Sequence, residues 1–210
     1  MHGFATSPRV WSGQEADFAP RLNFENMEAE SRKLVESLRE KTILVGWSMG
    51  GMLAMTAAVQ AQDRVCGLVL VSTTPKFIRA AGFHPGLSPV LLRRLERKIE
   101  AEGVSAFHKL IFKEEESEGR EAIPPARAKK ELAELARLDF RGILPQIKIP
   151  TLILHGDRDE ICPPSAAIFM REKICGSELV IFPGVGHALM LEIPQLFNSH
   201  FKKFMEKYAG

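Results

Sequence analysis

The run Thr42-Ile43-Leu44-Val45 is apolar and rich in β-branched residues, breaks at Gly46-Trp47-Ser48-Met49-Gly50, and resumes as a small-residue, helix-forming stretch through Ala61. A buried strand that turns sharply into a helix needs residues without Cβ where the two backbones close on each other. Gly46 and Gly50 supply them. The residue at the apex is Ser48. A serine hydroxyl is a weak nucleophile unless it stands clear of the backbone, beside a base and beside donors that stabilise an oxyanion. A helix N-terminus after such a turn offers backbone N–H groups, beginning with that of Met49. A glycine-rich turn with an idle serine would carry the same letters, so residues elsewhere must decide.

Further strand-like runs lie at 66–72, 151–155 and 178–182, besides 42–46. They are continuously apolar rather than alternating, as expected of parallel strands covered on both faces. Helical segments fall at 25–40, 49–61, 164–174 and 194–208. This alternation predicts an α/β sandwich with a mainly parallel sheet. Cys66 opens its strand and reads as a small buried hydrophobe. Between Pro75 and Gly142 the strand signal disappears. Ser88-Pro89 suits a helix start, with Leu91, Leu92, Leu95 and Ile99 at helical spacing beside Arg93, Arg94, Arg97 and Lys98. A second amphipathic piece runs from Val104 to Phe112, and a third helix from about Arg127 to Leu138. The Glu-rich run 114–119 reads as a solvated loop. A helical block between two parallel strands predicts a lid over 75–142, inserted into a core of 1–74 and 143–210.

With 210 residues, 45% of them hydrophobic, the chain can bury one full core. A net charge of +2 without a sustained basic stripe argues against nucleic acid as a partner. No apolar stretch reaches the roughly 18 residues of a membrane span, and the start lacks the pattern of a secretory signal. Cys66, Cys162 and Cys175 are odd in number and form no C-x-x-C pair, which suggests reduced thiols of a cytoplasmic protein rather than disulfides or a metal site. No cofactor is expected.

Two further turns carry suitable chemistry. Strand Thr151–His155 leads into Gly156-Asp157-Arg158-Asp159-Glu160-Ile161-Cys162-Pro163, and strand Leu179–Phe182 leads into Pro183-Gly184-Val185-Gly186-His187. An imidazole at the second turn would accept the serine proton and return it to the leaving group. A carboxylate at the first, Asp157 or Asp159, would hold it in one tautomer. His2, His84, His108, His155 and His200 lack such a turn and read as structural or surface residues.

The spacing G-x-x-D-x-x-x-P from Gly156 to Pro163, the G-x-G-H at 184–187 and the elbow together resemble the α/β-hydrolase superfamily, whose members run Ser, Asp, His along the chain. The resemblance implies a three-layer sandwich in which Ser48 is the nucleophile, His187 the base and Asp159 the acid, with Asp157 a turn carboxylate. His2-Gly3-Phe4 with Trp11 is similar to the superfamily's HG-x…W segment, which nominates the Phe4 N–H as a second oxyanion donor beside Met49. Strands that precede this segment in the superfamily have no counterpart before Met1. The expectation is therefore an N-terminally shortened sheet with an exposed edge, in a monomer or a dimer formed through that edge.

Gly46–Gly51, Leu70-Val71-Ser72-Thr73-Thr74-Pro75-Lys76-Phe77 and the Gly82-Phe83…Pro85-Gly86 turn are similar to the pimeloyl-[acyl-carrier protein] methyl ester esterases of biotin synthesis. That resemblance implies a serine carboxylesterase acting through an acyl-enzyme, with an acyl carrier protein as partner. It further implies an acyl channel lined by Phe107, His108, Lys109, Leu110 and Ile111, and a basic surface of Arg93, Arg94, Arg97 or Arg127 facing the carrier. A general short-chain carboxylesterase, a C–C or lactone hydrolase with the same three residues, and a catalytically impaired acyl-binding relative remain as alternatives.

Overall fold

In the computed structural model, which describes residues 1–14, 16–39, 41–112 and 119–208, the four apolar runs lie side by side in chain order. Strands β1 (Thr42–Trp47), β2 (Val65–Val71), β3 (Thr151–Gly156) and β4 (Glu178–Phe182) form one sheet, every neighbouring pair parallel. Leu44 pairs with Leu68, Leu70 with Ile153, and Leu154 with Val180. Leu68, Val69, Leu70 and Val71 are fully buried, as a strand covered on both faces demands.

Helix α1 (Met27–Ser37) begins where the Asn26 side chain accepts from the Ala29 N–H, two residues later than the sequence suggests, and ends as Leu38 turns extended. It packs on α2 (Met49–Gln60), which lies against β1 and β2. Between β2 and β3 come α3 (Pro89–Glu102), α4 (Ser105–Ile111) and α5 (Pro125–Arg137). The Ser88 hydroxyl accepts from the Leu91 N–H and Pro89 occupies the first turn, as expected. Leu92, Leu95 and Ile99 are buried on the inner face of α3, which packs on α4 and α5. The Glu-rich loop lies outside the described residues except at Gly119.

Helix α5 is tied to the chain entering α1 by two buried carboxylates. Glu131 accepts the Phe24 N–H at 3.3 Å, and Glu134 accepts the Met27 N–H at 2.9 Å, satisfying an otherwise orphaned first-turn donor. Helix α6 (Pro164–Lys173) packs on β3 and β4. After a one-turn helix α7 (Leu189–Glu192), α8 (Pro194–Tyr208) returns across β2. Helix α7 is too short to leave a periodic signal.

The first residue pairs with the outer edge of β1. The Met1 amino group donates to Val45 O at 2.5 Å, and the Trp47 N–H donates to Met1 O at 3.1 Å. A groove of about 850 Å³ follows the rest of that edge, between Trp11, Phe18, Leu38 and Phe201. Cys66 is only half-buried, at the second position of β2, with its thiol donating to Lys41 O. It is therefore not the buried hydrophobe expected of a strand opening, because its side chain reaches the loop before β1.

Candidate active site

Between β1 and α2, Ser48 adopts φ 55° and ψ −122°, a left-handed backbone that costs about 1–3 kcal/mol and persists only where its surroundings impose it. Those surroundings are specific. The Ser48 N–H donates to Val71 O at 2.9 Å, and the Thr73 hydroxyl donates to Ser48 O at 2.6 Å. A Cβ on Gly46 would lie 2.4 Å from Gly50 O, and one on Gly50 would lie 2.3 Å from His2 O. The first glycine thus allows the elbow to close, and the second allows the start of the chain to lie against it.

This opening segment passes beside the serine. Phe4 is buried, with its ring edge-on to Phe107 at 5.0 Å, and the Ala5 carbonyl accepts from His108 Nε2 at 2.6 Å. Burial lowers the His108 pKa, only partly opposed by that carbonyl. Among the described residues, neither the Phe4 nor the Met49 N–H pairs with a backbone acceptor. His2 braces the segment from behind. Its Nε2 accepts the Leu22 N–H at 2.9 Å, so the ring proton sits on Nδ1, which donates to Gly3 O at 3.0 Å.

Burial pushes the His2 imidazole from 6.5 down to about 4, with the Gly3 carbonyl opposing and the Arg21 and Arg127 charges assisting. The unfolded chain therefore takes up this proton at higher pH than the folded one. The associated stability is complete above pH 6.5 and is lost as pH falls toward about 4. Thermal melts across that range should show Tm falling, and His2→Gln, which keeps an acceptor for Leu22 but does not titrate, should flatten the fall. His108 remains in both proteins, so the difference isolates His2. An unchanged slope would contradict the assignment.

The other two turns meet beside the elbow. Asp159 is buried and accepts three hydrogen bonds. Oδ1 takes the Ile161 and Cys162 N–H groups, each at 2.9 Å, while Oδ2 takes His187 Nδ1 at 2.8 Å and lies 3.3 Å from His155 Nε2. Burial opposes its charge, but the facing imidazoles of His187 and His155 outweigh that and hold the carboxyl well below the usual carboxylate range. Asp157 instead accepts the Gly184 N–H at 2.7 Å, which ties the two turns together away from His187.

His187 is clamped from the elbow side. Trp47 Nε1 donates to His187 O at 2.8 Å, and the two rings lie 5.3 Å apart. His187 Nε2 is buried and, among the described residues, without a hydrogen-bond partner. A cleft of about 260 Å³ opens onto this imidazole, bounded by Lys109, Ile111, Phe112, Arg158 and Glu160.

Of the acyl-channel candidates, Phe107, His108 and Ile111 are buried on the inner face of α4, whereas Lys109 and Leu110 are exposed, Lys109 beside Glu102 at 3.4 Å. Arg93, Arg94 and Arg97 are exposed on α3. Arg127 faces inward: its guanidinium meets Glu131 at 2.8 Å and Leu22 O at 3.0 Å. Trp47 and His155 were not singled out from the sequence as site residues, although each adjoins a motif residue. Among the described residues, no His, Cys, Asp and Glu side chains cluster as a metal site, and no helix is long and apolar enough to cross a membrane.

Residues 1–199 match the model of the alpha/beta hydrolase family, and the chain belongs to that family. Among curated relatives it is similar to the pimeloyl-[acyl-carrier protein] methyl ester esterase of Nitrosomonas europaea, 28% identical over 96% of this chain and 92% of the relative. The enzyme of the same name from Vibrio vulnificus is 26% identical over 99% and 93%. Among solved structures, an esterase from Exiguobacterium antarcticum superposes with a TM-score of 0.82 at 20% identity, covering 98% of this chain and 91% of the other. MenH from S. aureus superposes at 0.74 and 20%, covering 100% and 93%. At these identities the structural likeness bears on the fold.

Proposed function

We propose that this chain is a serine carboxylesterase that removes the methyl group from a pimeloyl methyl ester carried on an acyl carrier protein. The chain is a carboxylic ester hydrolase of the alpha/beta hydrolase family. The observation that carries the mechanism is the buried Asp159–His187 pair set against a strained Ser48, with His187 Nε2 left unbonded. On this reading the Ser48 hydroxyl attacks the ester carbonyl and passes its proton to His187 Nε2. Asp159 holds Nδ1 and stabilises the imidazolium, and the Phe4 and Met49 N–H groups receive the oxyanion. Return of the proton releases methanol and leaves an acyl-enzyme. Water then repeats the sequence and frees the carboxylate. The Ser48–His187 bond forms as the substrate seats, as catalytic contacts that are loose in a free enzyme commonly tighten.

The helices of 75–142 serve as a lid on the core of 1–74 and 143–210, with Phe107 and Ile111 lining the acyl channel and Leu110 and Lys109 at its rim. The substrate's identity is supported by the names of the curated relatives at high mutual coverage. Three free cysteines are in keeping with a cytoplasmic setting. The modest cleft favours one alternative, a general esterase for short acyl chains. Comparing methyl ester cleavage on carrier-bound and free pimelate separates the two: a marked preference for the carrier supports the proposal, and indifference favours the general esterase.

Helix α3 gives a second test. The exposed charges of Arg93, Arg94 and Arg97 offer a cationic face to an acidic carrier, whereas Arg127 is already engaged with Glu131 and Leu22. Replacing the three with Glu should raise KM for the carrier-bound ester at least several-fold while leaving p-nitrophenyl butyrate hydrolysis nearly unchanged. Added salt should mimic the substitutions, since exposed charges are screened beyond about 8 Å at physiological ionic strength. Loss on both substrates would indicate a disturbed lid, and loss on neither would remove the docking role.

A further inference from the structure

We propose that His155 is a positioning residue that fixes the Asp159 carboxylate for His187; this rests on the reading of Asp159 and His187 as the acid and base. His155 sits in β3, four residues before Asp159, and is fully buried. Its Nε2 lies 2.6 Å from Cys162 O. A carbonyl only accepts, so Nε2 carries the ring proton. The ring edge also lies against Asp159 Oδ2, with Nε2 3.3 Å away, beside the oxygen that receives His187 Nδ1. Nδ1 of His155 is buried and meets no partner among the described residues, which leaves the ring a single polar task.

That task closes the loop on itself. Oδ1 of Asp159 is held by two backbone N–H groups of the loop, including that of Cys162, and the Cys162 carbonyl returns to His155 in the strand before the loop. With Oδ1 held by a loop that His155 anchors through Cys162, and the buried imidazole packed against Oδ2, rotation of the carboxylate is restricted. The remaining direction at Oδ2 faces His187. His155 acts through the Cys162 carbonyl and its packing, and so leaves the hydrogen bond at Oδ2 to His187.

His155→Phe keeps an aromatic ring but removes the donor, and His155→Gln places an amide N–H near the position of Nε2. With p-nitrophenyl butyrate, the Phe variant should lose about 10–100-fold in kcat, the scale seen when an outer partner of a site residue is removed, with KM nearly unchanged. The Gln variant should recover most of that loss. In the unaltered protein, ¹⁵N shifts at neutral pH should report the Nε2–H tautomer of His155. The Phe substitution should also move the His187 Nδ1–H proton resonance upfield as its bond to Asp159 loosens. Wild-type kcat in the Phe variant, equal losses in Phe and Gln that track their melting temperatures, or an Nδ1–H tautomer would each overturn the role. Asp159→Asn measured alongside keeps the two claims apart. If it is fully active, the acid assignment falls; if it is crippled while His155→Phe is normal, only the role of His155 falls.

Discussion

Ser48→Ala should lower kcat for ester hydrolysis by about 10⁴–10⁶ while leaving the fold intact. The hydroxyl is the one protein group that, on this reading, forms a bond to the acyl carbon. Its removal leaves the oxyanion donors of Phe4 and Met49 and the binding cleft, which alone account for a small residual rate. The fold should survive because the contacts that pin the elbow are made by backbone. Val71 O takes the Ser48 N–H, and Thr73 donates to the Ser48 carbonyl, neither of which alanine changes. The Cβ already present in the strained conformation is retained. Melting temperature and far-UV circular dichroism should match the parent. Near-normal turnover by the purified variant would contradict the assignment of the nucleophile.

Asp159→Asn should cost on the order of 10⁴ in kcat, and Asp157→Asn far less. An asparagine at 159 would present either its oxygen or its amide to His187 Nδ1, and the amide orientation would demand the wrong tautomer. It would also be unable to stabilise an imidazolium by charge. Among the described residues the Asp157 carboxylate accepts only the Gly184 N–H, a bond that an asparagine oxygen can still accept. Steady-state kinetics of the two variants side by side decide the matter. If the change at 157 proves the more damaging, the acid has been placed on the wrong residue of this loop.

What the sequence made legible was local. Gly46 and Gly50 announce an elbow because two backbones must approach, and the residues that approach are a few positions away or, for His2, fixed by that same requirement. The Asp159 and His187 turns are readable because each follows a continuous apolar run. The parallel order of the four strands follows from the same runs. The contacts that hold the site together were not legible, because they join segments distant in the chain. Trp47 reaches the carbonyl of His187, Ala5 receives His108, and Glu131 and Glu134 reach back to Phe24 and Met27. The run 107–111 illustrates the limit. Helical period alone sends Lys109 and Leu110 outward while Phe107, His108 and Ile111 turn inward, and a contiguous motif hides that division. Arg127 likewise reads as a surface charge, although Glu131 one turn later was a visible partner. His155 adjoins the Asp159 loop, but a buried strand histidine gives no sign in sequence of which atom it touches.

Covalent trapping tests the central claim most directly. The protein is treated with a serine-directed fluorophosphonate, and intact mass, the modified peptide and residual p-nitrophenyl butyrate hydrolysis are followed together. A nucleophile at Ser48 activated by His187 predicts one adduct per chain, mapped to Ser48, formed in step with loss of activity, absent in Ser48→Ala and strongly slowed in Asp159→Asn. An adduct on another residue, or full activity after stoichiometric modification of Ser48, would contradict it.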